Sequence, residues 1–539
     1  MIPLCAMENW LNTTAMGVLL AVYVAMISYL GYRGYRKTKT SSDYLVAGRS
    51  ANPFAMAMSY GAAFISTSAL VGFGGIAGQF GMGLMWLVFM NIAFGIIIAF
   101  IFFGKRTRRI GVALNARTFP EFIGRRYESD RMQYVIAGVI FVFIPLYSSV
   151  VLISGARFLE EVMSLPYHLV LPIFAVVVAV YVIFGGLRGV MNVDALIGSI
   201  MLFGMLLLLV MCYVKLGGVV SGHQALTDLA PEVKERLPEV WKLGHRGWTV
   251  MPEFNSIWWW TLVSSLMLGV GIGALAQPQL AVRFMTVKSD RELHRAVMVG
   301  SFFILCTAGA AYMIGALSNV FFIRNQNRLA IEVANGNPDT IIPIYIREAL
   351  PSLVLYVFAL TMLSAAMSTL SSLFHVTGSS IGYDICGKLR KDGESPLITR
   401  AGVAFGIIIS LFFAYILPDG VVARGTAIFF GICAAAFLPA YAAALYWKGA
   451  TRAGAWWSIA VGTGVSLFGL LFLHRKESAM LGVCQWIFGK TELISAHPWP
   501  FVDPFVYALP LSLLTLIVVS LFTAKPEAEH LDRCFKDIK

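Results

Sequence analysis

Apolar runs of about 20 residues, free or nearly free of charge, recur from one end of this 539-residue sequence to the other, and about 20 residues is the helix length that crosses roughly 30 Å of hydrocarbon. They lie at 11–32, 52–79, 83–104, 132–163, 168–186, 190–214, 256–276, 296–323, 351–384, 398–416, 425–447, 454–474 and 503–523. Lipid offers no hydrogen bonds, so each run must satisfy its own backbone, which a helix does within one segment. The predicted fold class is an all-α polytopic membrane protein with about thirteen transmembrane helices. Composition agrees: 58% of residues are hydrophobic and 13% charged, against about 25% charged in soluble chains.

The first run is longer than a signal-peptide core and ends in no A-x-A-like site, so it is expected to stay as a helix. No connection exceeds about 45 residues, too short for a soluble domain of usual size, so function is expected in the membrane part. The net charge of +12 does not point to nucleic acid, because the basic residues sit in short loops beside spans. With the N-terminus outside, Arg33–Lys39, Lys105–Arg109, Arg117–Arg131, Arg283–Arg295, Lys388–Arg400, Lys448–Arg452 and the C-terminal tail become cytoplasmic. That puts about 28 of the 41 Lys and Arg inside, as the positive-inside rule requires. The expected location is the cell (inner) membrane with the C-terminus cytoplasmic. The seven cysteines show no metal-binding spacing.

Two runs are poor continuous helices. The run 52–79 concentrates Gly, Ser, Thr and Ala at its centre, and 256–276 places three glycines in five residues before Gln277-Pro278. Glycine costs about 1 kcal/mol against alanine in a helix, and proline removes a donor. If 1–32 is an added leading helix, these runs become core helices 1 and 6 of two five-helix halves, 33–214 and 256–447. An outer loop at 215–255 joins the halves, and two trailing helices with a tail occupy 448–539. Interrupted spans in corresponding places point to a carrier built from inverted repeats with its site at the midplane. The plainer reading of such glycines is close helix packing.

Unwound backbone at that depth needs partners, and a hard cation with a polar solute can supply them. Hydroxyls cluster at Ser66, Thr67 and Ser68 in core helix 1, and at Ser364, Ser368, Thr369, Ser371 and Ser372 in core helix 8. Such side chains also commonly bond to their own helix or to a neighbour. At these residues the chain resembles the sodium:solute symporter family, over about Ala15 to Phe522. The resemblance is carried by Ala62-Ala63-Phe64-Ile65-Ser66, Thr118-Phe119-Pro120-Glu121-Phe122, Gly155-Ala156-Arg157, Gly185-Gly186-Leu187-Arg188, the stretch from Gln277 to Met285, Met367-Ser368-Thr369-Leu370, and Trp447-Lys448 with Ala453-Gly454-Ala455. Their order and spacing matter more than any one of them. The resemblance implies a LeuT-type core of five plus five helices and Na+-coupled symport of a small organic solute by alternating access.

It also implies one sodium site between core helices 1 and 8, from the carbonyls of Ala62, Ile65 and Ala365 and the hydroxyls of Ser368 and Thr369. Asp194 matches an acidic residue on core helix 5 associated with ion release inward; the alternative is an Asp held by a helix dipole. The flanking residues depart from the usual pattern there. Ser66, Thr67 and Tyr147 match positions lining the solute pocket, where free amides favour a carboxylate. The two helix 6 positions that are aromatic in proline carriers are Val270 and Ala274 here, which argues against proline and leaves pantothenate, a monocarboxylate or another amino acid. His375 faces the side of Ser368 and either touches solute or bonds across a helix interface. Trp258, Trp259 and Trp260 fit an interfacial belt, and the 215–255 loop reads as a solvated cap.

An intramembrane enzyme needs acid–base groups or metal ligands at one depth, and the nearest pairing, His375 with Asp384, straddles the inner interface, so no enzymatic activity is expected. A sensor of the same fold would carry a signalling domain. A proton-driven carrier, with Asp194 or His375 titrating, is the remaining alternative. The expected partners are the solute and the bilayer, with no nucleic acid and no obligate protein.

Overall fold

The computed structural model describes residues 13–163, 165–388, 396–418, 420, 422–536 and 538. Among them helix is the only regular structure apart from one parallel bridge between Ala51 and Val287.

Among the described residues eleven helical segments are long and apolar enough to cross a membrane, where about thirteen spans were expected. The difference lies at two glycines. Ser68–Ala113 runs for 46 residues and Tyr167–Leu216 for 50, which at 1.5 Å per residue would be roughly 69 and 75 Å, more than twice the hydrocarbon thickness. The first is jointed at Gly81 (φ 70°, ψ −154°) and the second at Gly186 (φ 56°, ψ −164°), a backbone region essentially reserved for glycine. The end of the 52–79 run therefore shares one helical segment with 83–104, and 168–186 shares another with 190–214.

Both interrupted runs break where composition weakens them. Asn52 caps Pro53–Phe64 by accepting from the Phe54 amide at 2.9 Å; the chain leaves the helix at Ile65 (φ −92°, ψ 92°), then resumes in a wide turn at Ser68–Gly72 and in Phe73–Phe80. In the second run Val270–Gly273 tightens into Ala274–Ala276, Gln277 is extended (ψ 117°), and Pro278–Phe284 restarts the helix. Proline suits that first position because its missing amide hydrogen has no intrahelical acceptor there.

Small residues let the helices close on one another. A Cβ on Gly378 would lie 2.6 Å from the Val403 amide nitrogen, and one on Gly382 would lie 2.4 Å from Thr399 Cα, so Ser352–Ser379 and its continuation pack backbone to backbone on Pro396–Ile416. Val422–Tyr446 is the most enclosed span. Thr13–Lys37 is peripheral: Val18, Val22 and Met26 are exposed, and Tyr23 bonds through its hydroxyl to Ser364 at 2.8 Å.

The 215–255 connection is more than a solvated cap. After three short helices it sends Trp248 inward, fully buried, to donate from its indole nitrogen to the Gly78 carbonyl at 2.8 Å, while the Met82 amide donates to the Trp248 carbonyl at 2.6 Å. His245 Nε2 meets the Gln79 carbonyl at 2.7 Å. This connection thereby closes over the Gly81 joint.

Candidate functional site

Ending a helix at Phe64 leaves the carbonyls of its last turn without intrahelical donors; only that of Gly61 is met, by the Ile65 amide at 2.8 Å. The Ser352–Ser379 helix supplies hydroxyls to those of Ala62 and Ala63. Ser368 Oγ donates to the Ala62 carbonyl at 2.7 Å and lies 3.1 Å from the Ala365 carbonyl. Thr369 Oγ1 reaches the carbonyls of Ala63 at 3.2 Å and Ala62 at 3.5 Å. Four of the five residues expected to hold sodium are thus in direct mutual contact. Ile65 is buried in the break itself and lies outside these contacts, whereas Ala63 joins them without having been expected. The oxygens are all neutral, the donor chemistry a hard monovalent cation accepts.

Ser66 and Thr67 sit in the same break. The Ser66 carbonyl accepts from the amides of Ala69 and Leu70 at 3.0 and 3.2 Å and so starts the second half of the helix. Thr67 Oγ1 and Ser68 Oγ are buried with no hydrogen-bond partner among the described residues. Across the second break, Gln277 Nε2 and Gln279 Oε1 are likewise buried and unpartnered. A buried polar group without a partner costs about 1–3 kcal/mol, so two pairs of them at two helix breaks mark surfaces suited to a polar ligand. The glutamines carried no expected role, although their position around Pro278 was the available signal.

Tyr147 approaches Ser66 side chain to side chain, stacks on Phe429 with ring centroids 4.6 Å apart, and meets Phe430 edge-on at 6.0 Å. Phe430 stacks in turn on Phe64 at 6.2 Å. Val270 and Ala274 are buried, and between them a Cβ on Gly273 would lie 2.3 Å from the Phe430 carbonyl oxygen. The aromatic wall that positions 270 and 274 do not supply comes from Phe429 and Phe430, which sequence reasoning passed over as span residues.

Asp194 is fully buried and has a partner that loop topology had hidden. Arg283, expected at the start of a cytoplasmic loop, is 1% exposed inside the Pro278–Phe284 helix, and its Nη2 lies 3.4 Å from Asp194 Oδ2. Ser59 Oγ donates to that same carboxylate oxygen at 2.6 Å and accepts from Arg283 Nε at 3.0 Å. The guanidinium also donates to the Gln279 carbonyl and to Ser372 Oγ, both at 2.6 Å. Ser372 then donates to the Ser368 carbonyl at 2.9 Å, so the ion pair is one helix turn from the hydroxyl–carbonyl cluster. Asp194 Oδ1 is buried without a partner among the described residues.

The spare hydroxyls are committed elsewhere: Ser364 to Tyr23, and Ser371 to the Ser368 carbonyl at 2.9 Å. His375 Nε2 bonds the Tyr44 carbonyl at 3.0 Å, a helix-interface contact. Asp384 accepts instead from Thr118 Oγ1 and Gln133 Nε2, both at 2.6 Å.

Comparison with known proteins matches residues 44–462 to the sodium:solute symporter family. "Sodium/proline symporter 2" of Staphylococcus saprophyticus is 27% identical over 521 residues, covering 94% of this chain and 93% of the relative. "Osmoregulated proline transporter OpuE" of Bacillus subtilis is 26% identical over 514 residues, covering 94% of each. Among solved structures, a Na+-coupled sialic acid symporter in a substrate-bound outward-open state superposes with a TM-score of 0.71 at 17% identity, over 95% of this chain and 98% of that one.

Proposed function

Because this chain belongs to the sodium:solute symporter family, and is therefore a multi-pass membrane protein that couples movement of a small organic solute to sodium, we propose that sodium binds between the Pro53–Phe64 and Ser352–Ser379 helices. Its ligands are the carbonyls of Ala62, Ile65 and Ala365 with the hydroxyls of Ser368 and Thr369. The observation that carries this reading is the set of hydroxyl–carbonyl contacts of 2.7–3.5 Å at the end of a broken helix. A site without a carboxylate holds sodium loosely enough to release it, as a carrier must.

The solute takes the adjacent positions. Thr67 and Ser68 with Gln277 and Gln279 offer unpartnered polar atoms, Tyr147 and Phe430 form one wall, and Val270 and Ala274 leave room on the other. We assign it a carboxylate, with amino acids included; proline, named in the two relatives, is one candidate beside pantothenate and short monocarboxylates. The Asp194–Arg283 pair lies on the inward side of the sodium site and closes the exit. The N-terminus faces outward and the C-terminus the cytoplasm, from the distribution of Lys and Arg. The ten core helices divide into 33–214 and 256–447, and transport proceeds by alternating access.

In proteoliposomes with an inward sodium gradient, Ser368→Ala and Thr369→Ala should each raise the sodium needed for half-maximal uptake by about tenfold, the loss of a contact worth about 1.4 kcal/mol. Maximal uptake at saturating sodium should be largely kept. Wild-type sodium dependence in both variants sinks the assignment.

A further inference from the structure

A cavity of about 470 Å³ opens at the outer end of the bundle, between the outer halves of both interrupted helices and the connector joining the trailing helices. Its volume lies in the range of small-molecule sites. Its lining includes Ile428, next in sequence to the Phe429 that walls the solute position. Phe80, Trp258 and Phe501 give it apolar sides.

Its charges are unevenly held. Arg424, near the outer start of Val422–Tyr446, donates from both Nε (3.1 Å) and Nη2 to Glu477 Oε1. Glu477 belongs to the trailing-helix connector, is 5% exposed, and is also met by His474. Arg475 pairs with Glu492, through Nε at 3.0 Å and Nη2 at 2.7 Å. The Asp503 carboxylate accepts from the Phe505 amide at 3.0 Å while the Asp503 amide is held by Ser264 at 3.1 Å, a structural arrangement. That leaves Lys476, which lines the cavity and has no ion-pair partner among the described residues. Its ammonium is exposed and lies within the field of Arg424, so it gains from an incoming anion.

We propose that this outer cavity is a docking site for the solute's carboxylate, in which the carboxylate exchanges with Glu477 on Arg424, steadied by Lys476. The proposal rests on the reading of a carboxylate solute and extends it to the first place that solute meets the protein. Glu477 is a tethered competitor: it neutralises Arg424 until an external carboxylate of similar geometry takes the guanidinium, and its release loosens the connector from the core. The apolar sides accept the body of the solute.

The test uses the full-length carrier in proteoliposomes with an inward sodium gradient and labelled lactate, proline, pantothenate and galactose. Unlabelled acids should compete for uptake, and lactamide or prolinamide should not. Arg424→Gln should raise the solute KM by about tenfold or more, as loss of a charge-assisted pair does. Lys476→Gln, which removes no ion pair and leaves the packing intact, should raise KM about threefold, an exposed-charge effect. Glu477→Gln should lower KM, because the competitor is gone. The sodium needed for half-maximal uptake should not move in any of the three. Sodium-driven acid uptake in which Arg424→Gln and Glu477→Gln both raise KM, or in which amides compete as well as acids, overturns the docking site and leaves the carrier reading standing. Sodium-driven uptake of galactose alone, or of none of the four, overturns the carboxylate reading and the docking site with it.

Discussion

Replacing Arg283 with methionine is expected to abolish sodium-driven uptake and to destabilise the protein by about 3–5 kcal/mol, the usual effect of stranding one member of a buried ion pair. The substitution leaves the Asp194 carboxylate buried with one oxygen already unpartnered and the other held by Ser59 alone. It also removes the donors that reach Gln279 and Ser372. Asp194→Asn in the same chain should restore much of the stability, because no uncompensated charge remains, and none of the transport. Thermal unfolding of the detergent-purified proteins, read beside uptake, separates the two effects. If the single variant unfolds at the temperature of the double variant, the stranded carboxylate carries no penalty and the reading of Asp194 and Arg283 as a buried ion pair fails.

Gly75→Ala should be nearly as damaging for a purely steric reason. The added Cβ would lie 1.9 Å from the Pro338 carbonyl oxygen, an overlap with backbone that no rotamer relieves. Overpacking of this kind costs about 1–3 kcal/mol and sometimes more; here the outer half of the first interrupted helix must shift bodily. The matched control is Gly138→Ala, whose Cβ meets nothing within 4 Å and which should gain up to about 1 kcal/mol of helix propensity. Equal yields of monodisperse protein from the two variants would show that the helices at Gly75 have slack the contacts do not reveal.

The parts legible in the sequence were those written in local composition. Uncharged runs gave the membrane class, and the Gly, Ser and Thr content of the 52–79 run and the glycines before Gln277-Pro278 marked both spans as interrupted. The joints at Gly81 and Gly186 fall at the expected span boundaries, 79/83 and 186/190, although the glycines around them give no local sign of which one turns the chain. Arg283 was hidden because a cation at the end of an apolar run looks the same whether it enters a loop or turns inward; its carboxylate is 89 residues away in sequence. Trp248 was hidden similarly, since a polar connection gives no sign of which apolar residue returns to the core. Ser368 and Thr369 stand apart: spacing alone would have left them as ordinary interface hydroxyls, and the family resemblance singled them out.

The contacts those two hydroxyls make bear on how tightly an ion can be held. Ser368 and Thr369 spend their protons on the carbonyls of Ala62 and Ala63, and a cation among the same oxygens needs their lone pairs instead. At the proposed site, binding is then a substitution of one clasp between two helices for another. Its free energy is the small difference between two large sums, so affinity can sit near the ambient sodium concentration without any single weak ligand. The helices stay tethered in either case; what changes is whether the tether can be dissolved by diluting the ion.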